Sequence, residues 1–191
     1  MTILSEIIEF NKTFVEEKEY EKYATTKFPD KRIVILTCMD TRLTELLPKA
    51  MNLRNGDAKI IKSAGAIVAH PFGGIMRSIL IAVYELRADE VYIIGHHDCG
   101  MSSIDTEKTF GNMIERGVDE SIFSTLKYSG VDLEDWLRGF NDVTESVKSS
   151  VNQVRNHPLM DKKVPVHGLV VHPATGQLET IVNGYEANED N

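Results

Sequence analysis

The chain has 191 residues, of which 42% are hydrophobic and 26% are charged, and its formal net charge is −8. These values are typical of one globular domain, and the acidic balance argues against broad binding to nucleic acids or anionic membranes, because phosphate attracts basic surfaces. No apolar run has the length of a membrane span and the first residues lack the pattern of a signal peptide, so we expect a cytoplasmic protein.

The N-terminal segment is predicted to be a helical arm. Apolar residues recur at helical spacing among the charged residues of positions 1 to 23, and we place the arm at residues 1 to 28. Its apolar positions could pack on the core or on a partner subunit. The core is predicted at residues 29 to 185, and residues 186 to 191 are predicted to form a loose polar tail of the same single domain.

Strands and helices alternate in the first half of the core. Residues 32 to 37 form a continuous apolar, β-branched run that is typical of a buried parallel strand. A helix is predicted at 41 to 51, a second strand at 58 to 61, a strong helix at 71 to 87 and a third strand at 90 to 94. This alternation predicts an α/β protein with a parallel sheet and covering helices.

The second half is predicted to be mostly helical before the sheet resumes. Residues 101 to 160 are predicted to be largely helical, with Trp136 among the core anchors. A stripe of valines marks the core face of the last helix: Val143, Val147, Val151 and Val154. A fourth strand at 164 to 172 and a fifth at 178 to 182 are joined by a turn so short that the two must be antiparallel.

The two cysteines of the chain both follow predicted strands. Cys38 ends the first strand, and Cys99 comes three residues after His96 at the end of the third strand. In an open parallel sheet, sites form beyond the carboxyl ends of strands where strand order reverses, so these segments meet if the first strand lies between the second and third. A single cysteine is most often a buried apolar filler.

Two thiolates and one imidazole together form a zinc triad. With only three protein ligands, Cys38, His96 and Cys99 leave one coordination position open, which is the pattern of a catalytic zinc site. Zinc lowers the pKa of a water molecule from about 16 to about 7 and so provides hydroxide at neutral pH. A redox pair of thiols is the alternative, but it would leave His96 without a role.

Asp40 and Arg42 follow Cys38 at a spacing that turns both side chains toward the same pocket. A guanidinium can hold a carboxylate through two hydrogen bonds, so Arg42 is predicted to orient Asp40. Asp40 would then either accept a hydrogen bond from the nucleophile or act as a fourth zinc ligand until Arg42 withdraws it. A helix cap and an ordinary ion pair are the simpler interpretations of these residues.

Two segments of the sequence resemble the signature motifs of the β-class carbonic anhydrases. They are Cys-Met-Asp-Thr-Arg-Leu at 38 to 43 and Gly-His-His-Asp-Cys-Gly-Met at 95 to 101. The similarity extends over roughly residues 30 to 185, and it is closest to the shorter bacterial and archaeal branch, especially its Bacillus-type members. It implies a zinc enzyme that reversibly hydrates carbon dioxide to bicarbonate.

The resemblance also implies site residues, a fold and a partner. It assigns one zinc ion per chain and a two-fold homodimer, or an oligomer built from such dimers, around N-terminal arms. It also implies four parallel strands with an antiparallel fifth in the order 2-1-3-4-5, with helices on both faces. The positions that match the zinc ligands are Cys38, His96 and Cys99, those that match the catalytic dyad are Asp40 and Arg42, and Gly65 matches the glycine beside the substrate pocket.

The chain departs from the family pattern at two positions. Some members bind an inhibitory bicarbonate with a tryptophan and an arginine, where this chain has Ile35 and Lys62. We therefore expect no such regulation.

Hydrolysis of carbonyl sulfide or carbon disulfide and a catalytically silent zinc module are the alternative functions. His70, His97 and His172 are candidate proton shuttles, although a surface histidine is more often a bystander.

Overall fold

The structure is a computed structural model, and it describes residues 1 to 186. Five strands form one sheet in the order β2-β1-β3-β4-β5. The first four strands run parallel, and β5 is antiparallel to β4. Their bounds are Ile33–Cys38 for β1, Ala58–Ser63 for β2, Glu90–His96 for β3, Val166–Val171 for β4 and Leu178–Val182 for β5. The predicted single-domain α/β class and strand order are confirmed.

Seven α-helices connect or flank these strands in the described part of the chain. They are α1 at Ile3–Glu16, α2 at Leu43–Ala50, α3 at Gly74–Tyr84, α4 at Thr106–Glu115, α5 at Ser121–Tyr128, α6 at Leu133–Leu137 and α7 at Val143–Arg155. Short 3-10 turns occupy Glu21–Tyr23, Ala64–Ala66 and Gly100–Ser103. The division into an arm, a core and a tail stays a prediction, and residues 187 to 191 of the tail lie outside the described residues.

The helix α3 is shorter than the sequence pattern predicts. The expected start at residue 71 falls in a turn, where the amide of Gly73 donates to the carbonyl of His70 and the amide of Phe72 donates to the ring of the same histidine. The helix ends at Tyr84, and Arg87 takes a left-handed backbone conformation with φ of 61°. The spacing of the apolar residues predicted the core face of the helix correctly, but it did not predict the turns at the two ends of the helix.

Helices cover both faces of the sheet, as predicted. On one face, α3 and α7 pack over strand residues that include Val34 and Ile93. On the other, Leu43 and Leu47 of α2 pack over residues that include Ile35. Every residue of β1 is buried, which is the arrangement that its continuous apolar sequence predicts for a central parallel strand.

The valine stripe of α7 packs on the sheet at a place where two strands carry glycine. A β-carbon at Gly95 or Gly168 would lie 2.8 or 2.7 Å from methyl groups of Val147. The glycines therefore allow α7 to approach β3 and β4 closely. Val147, Val151 and Val154 are buried, which confirms the stripe as a core face.

The prediction that Trp136 anchors the core is wrong. Its side chain is 69% exposed on α6, a helix of five residues. The aromatic packing in this region instead joins α4 to α5, where the rings of Phe110 and Phe123 lie 5.1 Å apart. This contact thus joins two helices and does not involve the sheet.

The helix α1 has no buried residue in the single chain. Its exposed apolar side chains are Ile3, Leu4, Ile7, Ile8, Phe10 and Val15. Of the helices within residues 1 to 186, none has both the length and the apolar character needed to cross a membrane.

Candidate metal centre

The parallel pairing of β1 and β3 brings the predicted triad together at one edge of the sheet. Thr37 pairs with Ile94, so Cys38 and His96 lie at the ends of neighbouring strands, within one residue of the same level. Cys99 follows three residues after His96, and its Sγ lies 3.9 Å from that of Cys38. The candidate ligand atoms of Cys38, His96 and Cys99 all lie within 4.8 Å of one another, and all three residues are buried.

The geometry of the triad fits one zinc ion better than a disulfide. Both thiols are free, and a separation of 3.9 Å is far longer than the S–S bond of about 2.05 Å. Two sulfurs bound to one tetrahedral zinc at about 2.3 Å lie about 3.8 Å apart. The observed separation of the two thiols thus matches the requirement of a shared ion.

The imidazole of His96 is also arranged as a metal ligand. Its Nδ1 lies 2.8 Å from the carbonyl of His97, which accepts a hydrogen bond and so fixes the proton on Nδ1. Its Nε2 is buried and has no hydrogen-bond partner among the described residues. A buried nitrogen without a partner is costly, and an ion beside the thiols would satisfy it.

The two thiols differ in acidity. Burial raises the pKa of the Cys38 thiol, but the neighbouring His96 imidazole and the backbone of Asp40 and Gly65 outweigh this effect and bring the pKa to about 7. Burial, together with the neighbouring Cys38, raises the pKa of Cys99 to about 11. A divalent cation would favour deprotonation of both, because it attracts both thiolates.

The guanidinium of Arg42 holds the carboxylate of Asp40 at two oxygens. Its Nε donates to Oδ1 at 3.0 Å and its Nη2 donates to Oδ2 at 2.8 Å, while its backbone amide also donates to Oδ1 at 2.8 Å. These hydrogen bonds lower the pKa of Asp40 to about 2. Asp40 Oδ2 lies 3.8 Å from Nε2 of His96, so the carboxylate stands beside the triad.

Arg42 has a second acidic partner, which the sequence did not reveal. Its Nη1 donates to Oδ2 of Asp98 at 2.8 Å, and its Nη2 donates to the Asp98 carbonyl at 2.8 Å. The two residues are 56 positions apart, and no spacing in the sequence links them. Both carboxylates raise the pKa of the guanidinium above its ordinary value.

Gly65 lies against an apolar wall next to the triad. Its φ is 71°, and a β-carbon there would lie 3.0 Å from the ring of Phe140 and 3.1 Å from side-chain atoms of Ile67 and Met101. The backbone of Gly65 also helps to lower the pKa of the Cys38 thiol. No sequence motif marks Phe140 as a wall residue. Its position beside Gly65 depends on a long-range hydrogen bond, in which its amide donates to the Met101 carbonyl.

The candidate proton shuttles occupy two places. The rings of His97 and His172 lie 6.1 Å apart at the carboxyl ends of β3 and β4. His70 lies in the turn before α3 and accepts a hydrogen bond from the Phe72 amide. His97 and His172 thus lie at the sheet edge that also carries the triad.

Comparisons with known proteins agree with the motifs. A family model described as carbonic anhydrase matches residues 33 to 180. YtiB of Bacillus subtilis is 63% identical over 185 residues, which cover 97% of this chain and 99% of that protein. The crystal structure of β-carbonic anhydrase isoform I from Trichomonas vaginalis has a TM-score of 0.88 and 36% identity, and the match covers 97% of this chain and 100% of that chain. Carbon disulfide hydrolase of Acidithiobacillus thiooxidans is 27% identical over 157 residues, 78% of this chain and 76% of that enzyme.

Proposed function

Because this chain belongs to the β-carbonic anhydrase family, we propose that it catalyses the reversible hydration of carbon dioxide to bicarbonate and a proton, with one zinc ion bound per chain. The observation that carries the proposal is the buried triad of two thiols and an imidazole beside an arginine-held carboxylate. Cys38, His96 and Cys99 would hold the zinc. When bound there, zinc lowers the pKa of a water molecule so that hydroxide is available near neutral pH.

Asp40 supports this chemistry as a hydrogen-bond acceptor. With a pKa of about 2, its carboxylate is ionised throughout the working range and is too weakly basic to remove a proton near neutral pH. It can instead accept a hydrogen bond from the attacking water or hydroxide and orient a lone pair toward the substrate. Arg42 fixes the direction of that carboxylate through its two hydrogen bonds.

The apolar wall beside Gly65 suits a small substrate without charge. Carbon dioxide has no hydrogen-bond donor, so the side chains of Ile67, Met101 and Phe140 can face it without leaving a polar group unpaired. Since Gly65 has no side chain, its backbone can lie close to both this wall and the Cys38 thiol. The site thus places an apolar surface next to the hydroxide source.

The alternative functions receive less support. The carbon disulfide hydrolase is 27% identical to this chain, whereas the Trichomonas carbonic anhydrase is 36% identical over nearly the whole length. A silent zinc module would have no need of a carboxylate held 3.8 Å from the triad by its own arginine. Carbonic anhydrase activity is therefore the function that the site supports best.

Stopped-flow measurement of acidification by carbon dioxide tests the proposal on zinc-loaded protein. We expect Cys38→Ser to lose zinc and activity together, because it removes a thiolate ligand. Asp40→Ala should keep zinc and lose at least about tenfold in rate, because the nucleophile loses its acceptor. Asp135→Ala, which breaks an exposed pair with Arg138, is the matched control and should leave both unchanged. Zinc-loaded protein without catalysed acidification, or an Asp40→Ala variant with the wild-type rate, would contradict the proposal.

We also propose a homodimer that forms through the exposed apolar residues of α1. Such a cluster on a helix with no buried residue is typical of a surface that a partner covers. Light scattering should give twice the monomer mass, and Ile7→Asp should weaken the dimer whereas Glu9→Gln should not. A monomeric wild type would refute this assembly.

A cytoplasmic location is proposed because both thiols are free and a reducing compartment keeps them so. Fractionation of the source cells tests it, and recovery outside the cytoplasm would contradict it.

A further inference from the structure

Arg42 is shared between two aspartates that come from different strand ends. Asp40 follows β1 and Asp98 follows β3, and the guanidinium donates two hydrogen bonds to each of them. We propose that Asp98 is a positioning residue of the active site, which anchors Arg42 so that Arg42 in turn holds Asp40 away from the metal position. This inference rests on the proposed function, and it assigns a role to a residue outside the predicted triad and dyad.

The backbone at Asp98 is built for this contact. Its φ is 54°, in the left-handed region that few side chains other than Asn and Asp adopt readily. In that conformation both the carbonyl and the carboxylate of Asp98 face Arg42, at 2.8 Å each. Because Cys99 is the next residue, the same turn positions a proposed zinc ligand and the anchor of the arginine.

Asp40 has two competing partners in this arrangement. Its Oδ2 accepts from Arg42 at 2.8 Å and lies 3.8 Å from Nε2 of His96, so a small movement would carry the carboxylate from the guanidinium to an ion held by the triad. Arg42 opposes that movement only while its own position is fixed. Asp98 is the residue that fixes the far end of the guanidinium, through Nη1.

The exposure of the Asp98 side chain sets the size of the expected effect. It is 84% exposed, and ion pairs in that setting contribute little because water screens them. The carbonyl contact would survive substitution of the side chain. We therefore expect removal of the carboxylate to lower kcat by about two- to fivefold, and not to abolish activity.

The first measurement follows the position of Arg42 directly. Zinc-loaded protein with ¹⁵N-labelled arginine is compared by NMR for hydrogen exchange at the Arg42 Nε–H, which donates to Asp40. We expect faster exchange in Asp98→Asn, which keeps the left-handed backbone, and faster still in Asp98→Gly, which removes the side chain without strain. Unchanged exchange in both variants would overturn the proposal.

Asp89→Asn is the matched control. Asp89 forms an exposed pair with Arg32 at the opposite end of the sheet, so the variant removes the same charge from the same type of contact. Asp89→Asn should speed hydrogen exchange at the Arg32 Nε–H and leave the exchange rate at the Arg42 Nε–H unchanged. Asp98→Asn should speed exchange at Arg42 and leave the rate at Arg32 unchanged. An equal effect of both variants on Arg42 would show a general charge effect and overturn the assignment.

Kinetics then connect the position of Arg42 to catalysis. If Asp98 lowers the fraction of molecules in which Asp40 leaves Arg42, its variants should lower kcat, keep KM for carbon dioxide and retain a full complement of zinc. A raised KM, a loss of zinc or an unchanged kcat would overturn the positioning role. A wild-type protein without carbonic anhydrase activity would refute the proposed function instead, while the exchange comparison would still show whether Asp98 anchors Arg42.

Discussion

Substitution of Gly65 by alanine tests how the pocket wall is built. The residue has φ of 71°, where a side chain costs about 1 to 2 kcal/mol. The new methyl group would lie 3.0 Å from Phe140 and 3.1 Å from Ile67 and Met101, closer than the ordinary contact of about 3.5 Å, and such overpacking costs about 1 to 3 kcal/mol. Alanine also reduces the conformational entropy of the unfolded chain, which stabilises the folded state by about 0.4 to 1 kcal/mol. We expect Gly65→Ala to lower the free energy of unfolding by about 1 to 4.5 kcal/mol.

Urea unfolding of the zinc-loaded protein measures this difference at one fixed protein and zinc concentration, because ligand binding and dimerisation shift the apparent stability. Gly111→Ala is the matched control. It lies within α4, and a β-carbon there meets nothing within 4 Å, so alanine should stabilise by about 0.5 to 1 kcal/mol. The two substitutions should thus have opposite signs. A Gly65→Ala variant within about 0.5 kcal/mol of the wild type would refute the close-contact reasoning.

Three further predictions concern pH, thiol reactivity and bicarbonate. Burial lowers the pKa of His167 in the folded state, so the unfolded chain binds more protons at pH values below 6.5. The free energy of unfolding, measured with urea, should therefore fall as pH drops below 6.5, and it should fall less in His167→Asn; an equal fall in the two proteins would contradict this assignment. In zinc-free protein, iodoacetamide followed by peptide mass mapping should modify Cys38 faster than Cys99, since their pKa values are about 7 and about 11; equal rates would contradict this order. Ile35 is fully buried and has no hydrogen-bond donor in its side chain, so added bicarbonate should inhibit hydration as a simple product, and cooperative inhibition would show that the chain retains a regulatory site.

The sequence predicted the parts of the fold that depend on local pattern. The unbroken apolar run of β1 requires burial on both faces, and the structure places it between β2 and β3 with helices above and below. The five-residue turn before β5 leaves room only for an antiparallel partner, as observed. The carboxyl ends of parallel strands lie at one edge of the sheet. Once the strand order is known, the proximity of Cys38, His96 and Cys99 therefore follows from the topology.

Contacts between distant side chains have no such pattern. Trp136 has the size and apolarity of a core residue, but helical spacing does not say whether a helix packs on the sheet or on its neighbours, and α6 leaves the indole exposed. Phe140 reaches Gly65 from another part of the chain, through the geometry of a connecting segment rather than a repeat. The pairing of Arg42 with Asp98 likewise depends on a left-handed residue that the spacing did not indicate.

The charges at the sheet edge give the physical reason for the positioning role that we propose for Asp98. A zinc ion would neutralise two thiolates, which leaves the carboxylates of Asp40 and Asp98 facing one guanidinium. Asp40 is the less exposed of the two, with 18% of its side chain accessible, so its attraction to a cation is screened less by water. Its distance of 3.8 Å from His96 Nε2 is short enough for that attraction to compete with Arg42. If the Arg42 guanidinium were free to move with Asp40, it could not oppose this attraction. Because it is hydrogen-bonded to Asp98 after β3, the backbone of that strand end holds it in place.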